Sequence, residues 1–192
     1  MMEVEELVPG EIVTISDFLS PEECDEYIDL SEQIGYGEAP INAMRGAIIR
    51  PDIRNNARAM LDDPERAGML WKRLSTFLPD KLEERFPVGL NERLRFYRYD
   101  RNQQFAWHYD GSYRRENDES SLLTFMVYLN DRFTGGETQF DLRYPYFDLS
   151  VTPKMGMCLC FLHALRHQGA AVIQGRKYVL RSDVMYSPDL SW

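Results

Sequence analysis

The pattern of apolar and polar positions changes character near Asn91. Before it, apolar residues recur at helical steps in two stretches. Ser20 can cap, Pro21 suits a first helical position and Glu23 completes a capping box, so a helix is expected to start there. Cys24, Tyr27, Ile28, Ser31 and Ile34 follow at helical spacing. "DDPERAGMLWKRLSTFL" opens a second helix in the same manner, with Ala67, Leu70, Trp71, Leu74 and Phe77 as its apolar stripe. Both stripes read as packing surface. "EIVTISDFLS" reads as a short strand running into the first cap. The irregular stretch between the helices holds one possible strand, at "GAIIR".

After Asn91 the segments are short and rich in aromatic or β-branched residues: "RLRFYRYD", "QFAWHYD", "LLTFMVYLN", "ETQF", "YFDLSV", "MCLCFL" and "KYVLRSDVMY". Turn residues separate them. Many short strands with turn signals predict a β-sandwich or barrel. The expected fold class is α+β, mainly β, with N-terminal helices packed on an antiparallel core whose edge strands are covered. A chain of 192 residues fits a single domain, residues 1–192. Residues 1–90 are its helical N-terminal part and residues 91–188 its core.

Charge and cysteine content narrow the partners. The formal net charge is -9 and the pI about 4.9, which argues against nucleic acid or an anionic membrane as the main partner. No apolar run approaches the roughly 20 residues of a membrane helix. The acidic start "MMEVEELVPG" has the pattern of neither a signal nor a transit peptide. The three cysteines, Cys24, Cys158 and Cys160, do not form a disulfide framework. Cys158 and Cys160 are expected on opposite faces of a strand, as packing residues that do not share a metal. A reducing cytoplasm is the expected location.

Only three histidines occur. His108 precedes Asp110 by two positions, and His163 and His167 share "FLHALRHQG". On a strand, His108 and Asp110 point the same way, while Phe105, Trp107 and Tyr109 point into packing. One imidazole and one carboxylate make a weak metal site, and His167 on another predicted strand can supply a third ligand. Two histidines and a carboxylate with open positions are the ligand set of non-haem Fe(II) oxygenases. The alternative for the isolated His-x-Asp is a surface pair. A zinc helix is the rival reading of "HALRH", but it lacks the Glu of H-E-x-x-H, and the residues beyond Gly169 fit a strand.

The segment "YDRNQQFAWHYDG" resembles the opening of the catalytic core of prolyl 4-hydroxylase-like 2-oxoglutarate/Fe(II) dioxygenases. That family shows Tyr, Gly, an aromatic and then H-x-D at three-residue steps. Here these are Tyr99, Asn102, Phe105, His108 and Asp110. Asn102 departs from the Gly, but Asn tolerates the left-handed conformation a turn needs. "TFMVYLNDRFTGGETQF" is similar to the family's strand-turn-strand, and "PKMGMCLCFLHALRHQGAAVIQGRKYVLRSDVMY" to its closing segment. The resemblance covers residues 95–186.

It implies a double-stranded β-helix, or jelly-roll, with Fe(II) held by His108, Asp110 and His167. It implies that Lys177 pairs with the distal carboxylate of 2-oxoglutarate, since a buried dianion needs a cation. Thr138, Tyr99 and Tyr128 are the implied hydroxyl donors, Tyr128 being equally readable as packing. His163 is left as a structural residue. Arg181 is read either as a binder of a substrate's acidic group or as a partner of Asp183. The segments holding Arg45, Arg50, Arg54 and Arg58, and "GSYRRENDESS", read as solvated loops or as lids over the iron.

The implied activity is hydroxylation of an unactivated C–H. It uses Fe(II), 2-oxoglutarate, O2 and ascorbate, and releases succinate and CO2. A prolyl residue of a peptide or protein is the leading substrate, and a free amino acid or other small molecule the alternative. A non-catalytic jelly-roll that binds metal or ligand as a sensor, and a zinc hydrolase, are the readings from other classes. The intact ligand set and Lys177 speak against the first. The lack of a motif for a general base speaks against the second.

Overall fold

A computed structural model of the chain describes residues 2–43, 46–142 and 147–188, with Asn42 and Ala43 as backbone only. Arg45 lies outside the described residues. Helix α1 spans Pro21–Ile34 and opens with the expected capping box: Ser20 Oγ accepts from Glu23 N at 3.2 Å, and Glu23 accepts from Ser20 N at 2.8 Å. Helix α2 spans Pro64–Leu74, with Asp63 capping Arg66 N, and a 3-10 turn over Ser75–Phe77 follows. Among the described residues no helix is long and apolar enough to cross a membrane.

Most described strands fall into two facing sheets, and two short two-stranded pairs, Thr134–Gly135 with Val172–Gln174 and Ile41–Ala43 with Gly46–Ile48, stand apart from them. The larger centres on Cys158–Leu162, Ser120–Tyr128, Lys177–Ser187 and Arg93–Tyr99, in that order and antiparallel. The smaller runs Leu149–Val151, Thr138–Phe140, His167–Gly169 and Phe105–His108, also antiparallel. The chain passes from one sheet to the other and back as it advances, so the expected double-stranded β-helix forms.

Alternation along the larger sheet sorts its side chains into two cores. Phe96, Phe125, Val127, Cys158, Cys160, Leu180 and Val184 face the helices and pack on Cys24, Ala67, Leu70 and Leu74. Tyr97, Tyr99, Met126, Tyr128, Leu159, Phe161 and Val179 face the smaller sheet, with Phe140 and Val172. The helices thus cover one face, and the barrel interior, where the candidate site lies, is the other.

Three expectations need correction. Residues 1–90 are not simply helical: beside the strand expected at "EIVTIS", seen as Ile12–Ile15, Val4–Val8 extends the larger sheet beyond Cys158–Leu162, and Ala57–Asp62 extends it beyond Arg93–Tyr99. The larger sheet needs these additions to protect its edges. Cys158 and Cys160 share one face, their sulfurs 3.7 Å apart, because residues two apart on a strand point the same way. Trp107 and Tyr109 are not packing residues. Both are exposed, Trp107 beneath the Arg166 guanidinium, because Phe105–His108 is the last strand of the smaller sheet and, among the described residues, no layer packs on its outer face.

Candidate active site

The smaller sheet brings the two histidines together. His167 pairs in register with both His108 and Phe140. The strand ends at His108, so Asp110 is not on it as expected, yet its carboxylate still converges on the imidazoles. His108 Nε2 lies 3.7 Å from Asp110 Oδ1, and His167 Nε2 lies 3.6 Å from Asp110 Oδ2. One ligand atom from each residue falls within 4.8 Å of the others. His108 Nδ1 faces Ala106 O at 2.7 Å and His167 Nδ1 faces Leu165 O at 3.0 Å. A carbonyl accepts, so each Nδ1 carries the proton and each Nε2 offers a lone pair to the shared point.

Electrostatics favour the metal-binding protonation states. Burial, and then the neighbouring His167, push His108 down to about 3, and burial lowers His167 as well. Burial alone would raise Asp110, but Arg181 and the two histidines hold it well below the usual carboxylate range. Arg181 Nη2 reaches Asp110 Oδ1 at 2.9 Å and Asp183 Oδ1 at 3.5 Å. The internal reading of Arg181 therefore holds, with Asp110 as the nearer partner. Asp183 is tied in turn to Arg95 at 2.9 Å.

Thr124 Oγ1 donates to Asp110 Oδ2 at 2.5 Å and lies 3.0 Å from His163 Nδ1. Having given its proton to Asp110, Thr124 accepts from His163 Nδ1–H. His163 Nε2, 2.9 Å from Ser121 Oγ, then accepts from that hydroxyl. His163 is thus a buried brace two bonds behind Asp110 and outside the three-residue cluster. Two neutral imidazoles and a carboxylate held anionic fit a divalent metal such as Fe(II).

Lys177 lies deeper in the same cavity and is 2% exposed. Its Nζ donates to Gly136 O at 2.6 Å and lies 5.2 Å from the rings of both Tyr99 and Tyr128. Burial lowers its ammonium to about 7. Gly136 has φ of 72°, and a Cβ there would meet Lys177 Cδ at 3.2 Å, so glycine serves both the turn and the lysine's path. Tyr128 Oη and Thr138 Oγ1 are 2.6 Å apart, and Tyr99 and Thr138 line the cavity with Lys177. A buried cation answered by one carbonyl and two ring faces is an environment that a carboxylate completes.

The turn before His108 has the geometry foreseen, with Asn102 at φ 65°. Phe105, expected in packing, instead stacks on the His108 ring at 3.5 Å and lines the cavity. Thr124, Tyr97 and Phe161 also line it and were missed. Their signal was available: Thr124 is four residues before Tyr128 on one strand and therefore shares its face. Both loops are tied to the core at described residues. Ala106 N bonds to Ile53 O at 2.8 Å, and Arg54 bridges Phe105. In the other loop, Tyr113 N bonds to Ser121 Oγ at 2.8 Å, and Arg114 bridges Ser120.

Known proteins are similar to this chain in sequence and in fold. Residues 94–182 match the profile of the 2OG-Fe(II) oxygenase superfamily. Prolyl 4-hydroxylase 1 of Arabidopsis thaliana is 25% identical over 68% of this chain and 47% of its own length. Probable prolyl 4-hydroxylase 10 of the same plant is 27% identical over 84% of this chain and 64% of its own length. The chain thus spans less than two thirds of either plant protein. Among solved structures, the viral collagen prolyl hydroxylase of Paramecium Bursaria Chlorella virus-1 superposes with a TM-score of 0.63 at 21% identity. It covers 92% of this chain and 97% of its own. A prolyl hydroxylase from Trichoplax adhaerens, solved with a hypoxia inducible factor peptide fragment, gives 0.68 at 15% identity over 92% and 84% of the two chains. The His-Asp-His cluster lies inside the matched residues, so residues 94–182 resemble the core of the 2OG-Fe(II) oxygenase superfamily, whose chemistry uses Fe(II), 2-oxoglutarate and O2.

Proposed function

We propose that this protein is a 2-oxoglutarate-dependent Fe(II) dioxygenase that hydroxylates an unactivated C–H, with a prolyl residue of a peptide or protein as the leading substrate. The observation that carries the reading is the His108–Asp110–His167 cluster opening into the cavity that holds Lys177. The plant relatives' names and the peptide-bound Trichoplax structure support the prolyl assignment.

His108, Asp110 and His167 would hold Fe(II), which with 2-oxoglutarate and O2 supplies oxidative decarboxylation to succinate and CO2 and transfers one oxygen atom to substrate. The two backbone carbonyls at Ala106 and Leu165 fix which nitrogen each imidazole presents. Arg181 and Thr124 keep Asp110 ionised and oriented. Lys177 pairs with the distal carboxylate of the cosubstrate, and Thr138, Tyr128 and Tyr99 donate to it or close around it. Phe105, Met126 and Phe161 line the remaining wall and exclude water.

The test is succinate release by purified protein supplied with Fe(II), ascorbate and 2-oxoglutarate. A slow release without substrate is expected, and His108→Ala, Asp110→Ala or His167→Ala should each abolish it. His163→Ala should retain most of it. An essential His163 beside a dispensable His167 would refute the ligand assignment.

A further inference from the structure

A second hollow, of about 410 Å³, lies beside the metal cavity. Its volume falls within the roughly 300–1,000 Å³ of ligand pockets. Phe105 lines the metal cavity and Arg54 lines the hollow. The Phe105 ring stacks on His108 at 3.5 Å, and the Arg54 guanidinium carbon lies 4.4 Å from the centre of the same ring. Phe105 and Arg54 thus form the wall between the two spaces. A stretch of about four extended residues, at roughly 3.3 Å each, is long enough to pass such a wall.

The hollow is built to donate. Asn55 and Gln103 line it, and the amide oxygen of each is already taken. Asn55 Oδ1 accepts from Gln104 N at 2.7 Å, and Gln103 Oε1 accepts from Asp100 N at 2.8 Å. An oxygen that accepts from a backbone N–H fixes which way its amide faces, so the NH2 is left to donate. Neither NH2 has a hydrogen-bond partner among the described residues. Asn55 is exposed and Gln103 half-buried, so both groups meet solvent. The backbone around them is tied down: Asn55 N bonds to Gln104 O at 3.3 Å, Gln103 N to Asp100 O at 3.0 Å and Val172 N to Gln103 O at 3.1 Å. Asn56, the other amide at the hollow, spends its groups on Arg54 and on Ala57 O. The Arg54 guanidinium is taken up by Asn56 and by the Tyr97 and Phe105 rings. Glu38, exposed at the same hollow, disfavours an anionic occupant. The group that accepts hydrogen bonds without negative charge, and repeats along a chain, is the main-chain carbonyl. Tyr36, Ile49 and Pro51 add apolar sides for the residues that carry it. Gly37–Glu38, the last strand of the larger sheet, borders the hollow as well, and among the described residues no strand pairs with its outer edge. An extended segment finds main-chain partners at such an edge.

We propose that this hollow docks the main chain of a polypeptide substrate beside the residue that is hydroxylated, with Asn55 and Gln103 donating to its carbonyl oxygens. The proposal rests on the oxygenase reading and sharpens it. The substrate is a segment of several residues in extended form, and a free amino acid is too short to fill both spaces.

The test uses the whole protein loaded with Mn(II) and 2-oxoglutarate in the absence of O2. Calorimetry compares N-acetyl-L-proline amide with acetylated, amidated peptides in which that proline lies within alanine runs of increasing length. The longest peptide should bind about tenfold more tightly than the shortest probe, the worth of two ordinary hydrogen bonds. Asn55→Asp and Gln103→Glu keep the oxygen that accepts from the backbone and turn the donor into an acceptor. The probes are uncharged, so the new carboxylates act on them by contact. Combined, the two substitutions should erase the gain with length and leave the affinity of the shortest probe unchanged. Three results overturn the proposal: no gain with length, a gain that survives the double variant, or equal weakening of long and short probes, which would make the two amides purely structural. Succinate release by the unaltered protein is measured separately. Its absence would sink the oxygenase reading, whereas the length comparison stands or falls by itself.

Discussion

Lys177 holds a charge inside the barrel against the pull of burial, which lowers its ammonium to about 7 from the ordinary 10.5. With the folded value below the unfolded one, the unfolded chain holds more protons between pH 7 and 10.5. The lysine's contribution to stability therefore rises with pH across that window. A bound dianion reverses the shift by restoring the charged form. Binding of 2-oxoglutarate at pH 8 should thus take up about one proton, read as a dependence of calorimetric heat on the buffer's ionisation enthalpy. Removing the cation is more drastic. Lys177→Ala leaves a desolvated carboxylate unpaired, at roughly 3–5 kcal/mol or about 100- to several-thousand-fold in the KM for 2-oxoglutarate. Iron affinity should hardly change, because Lys177 is not in the ligand cluster. An unchanged KM would remove Lys177 from the site. The resemblance of the closing segment made this residue legible in the sequence, but not the fit of Gly136 against its side chain, which needs a turn and a strand seen together.

Helix α1 begins where local chemistry dictates, and its start also ties the two helices. Glu23 accepts from Ser20 N and pairs with Arg73 of α2 at 2.7 Å. Ser20→Ala removes the cap's side-chain acceptor and should cost about 1 kcal/mol, or roughly 2–4 °C in Tm for a chain of this size. The KM for 2-oxoglutarate should not move, since α1 packs on the face of the sheet away from the cavity. Caps, helical stripes and the strands after Asn91 were legible because each is written in a short window of sequence. Val4–Val8, Ala57–Asp62 and Phe86–Leu90 were not, although all three join the larger sheet. Ala57–Asp62, "ARAMLD", has no β-branched or aromatic residue, and Phe86–Leu90 carries Pro87 and Gly89, so neither looks like a strand. Their pairing partners lie elsewhere in the chain, where a local pattern does not reach. Trp107 and Tyr109 were misread for the same reason: alternation gives a face, and only the sheet order says whether that face is covered.

The whole molecule is acidic, with net charge -9, yet two cations, Lys177 and Arg181, line one cavity inside it. Net charge speaks to the outer surface and gave no warning of this, whereas the spacing of the two histidines and Asp110 survived into three dimensions. Two apolar cores hold the fold on either side of the larger sheet, and Asp110 is paired with Arg181 as well as with the two histidines. Chelation should therefore lower stability without unfolding the chain. At a metal concentration of about 100 Kd the linkage is about 2.7 kcal/mol, so added EDTA should lower Tm by roughly 5–10 °C. A single sharp transition should remain, and loss of cooperative melting would mean that the metal is structural. Restoring different ions then separates binding from chemistry. Stabilisation should rise from Mn(II) and Fe(II) through Co(II) to Ni(II), following divalent affinity for nitrogen and oxygen ligands. Succinate release should instead appear with Fe(II) and be lost with Co(II), Ni(II) or Zn(II), because reaction with O2 needs a metal that changes oxidation state readily. Equal succinate release with Zn(II), which does not change oxidation state, would overturn the assignment of that oxidation to an iron held by these three ligands.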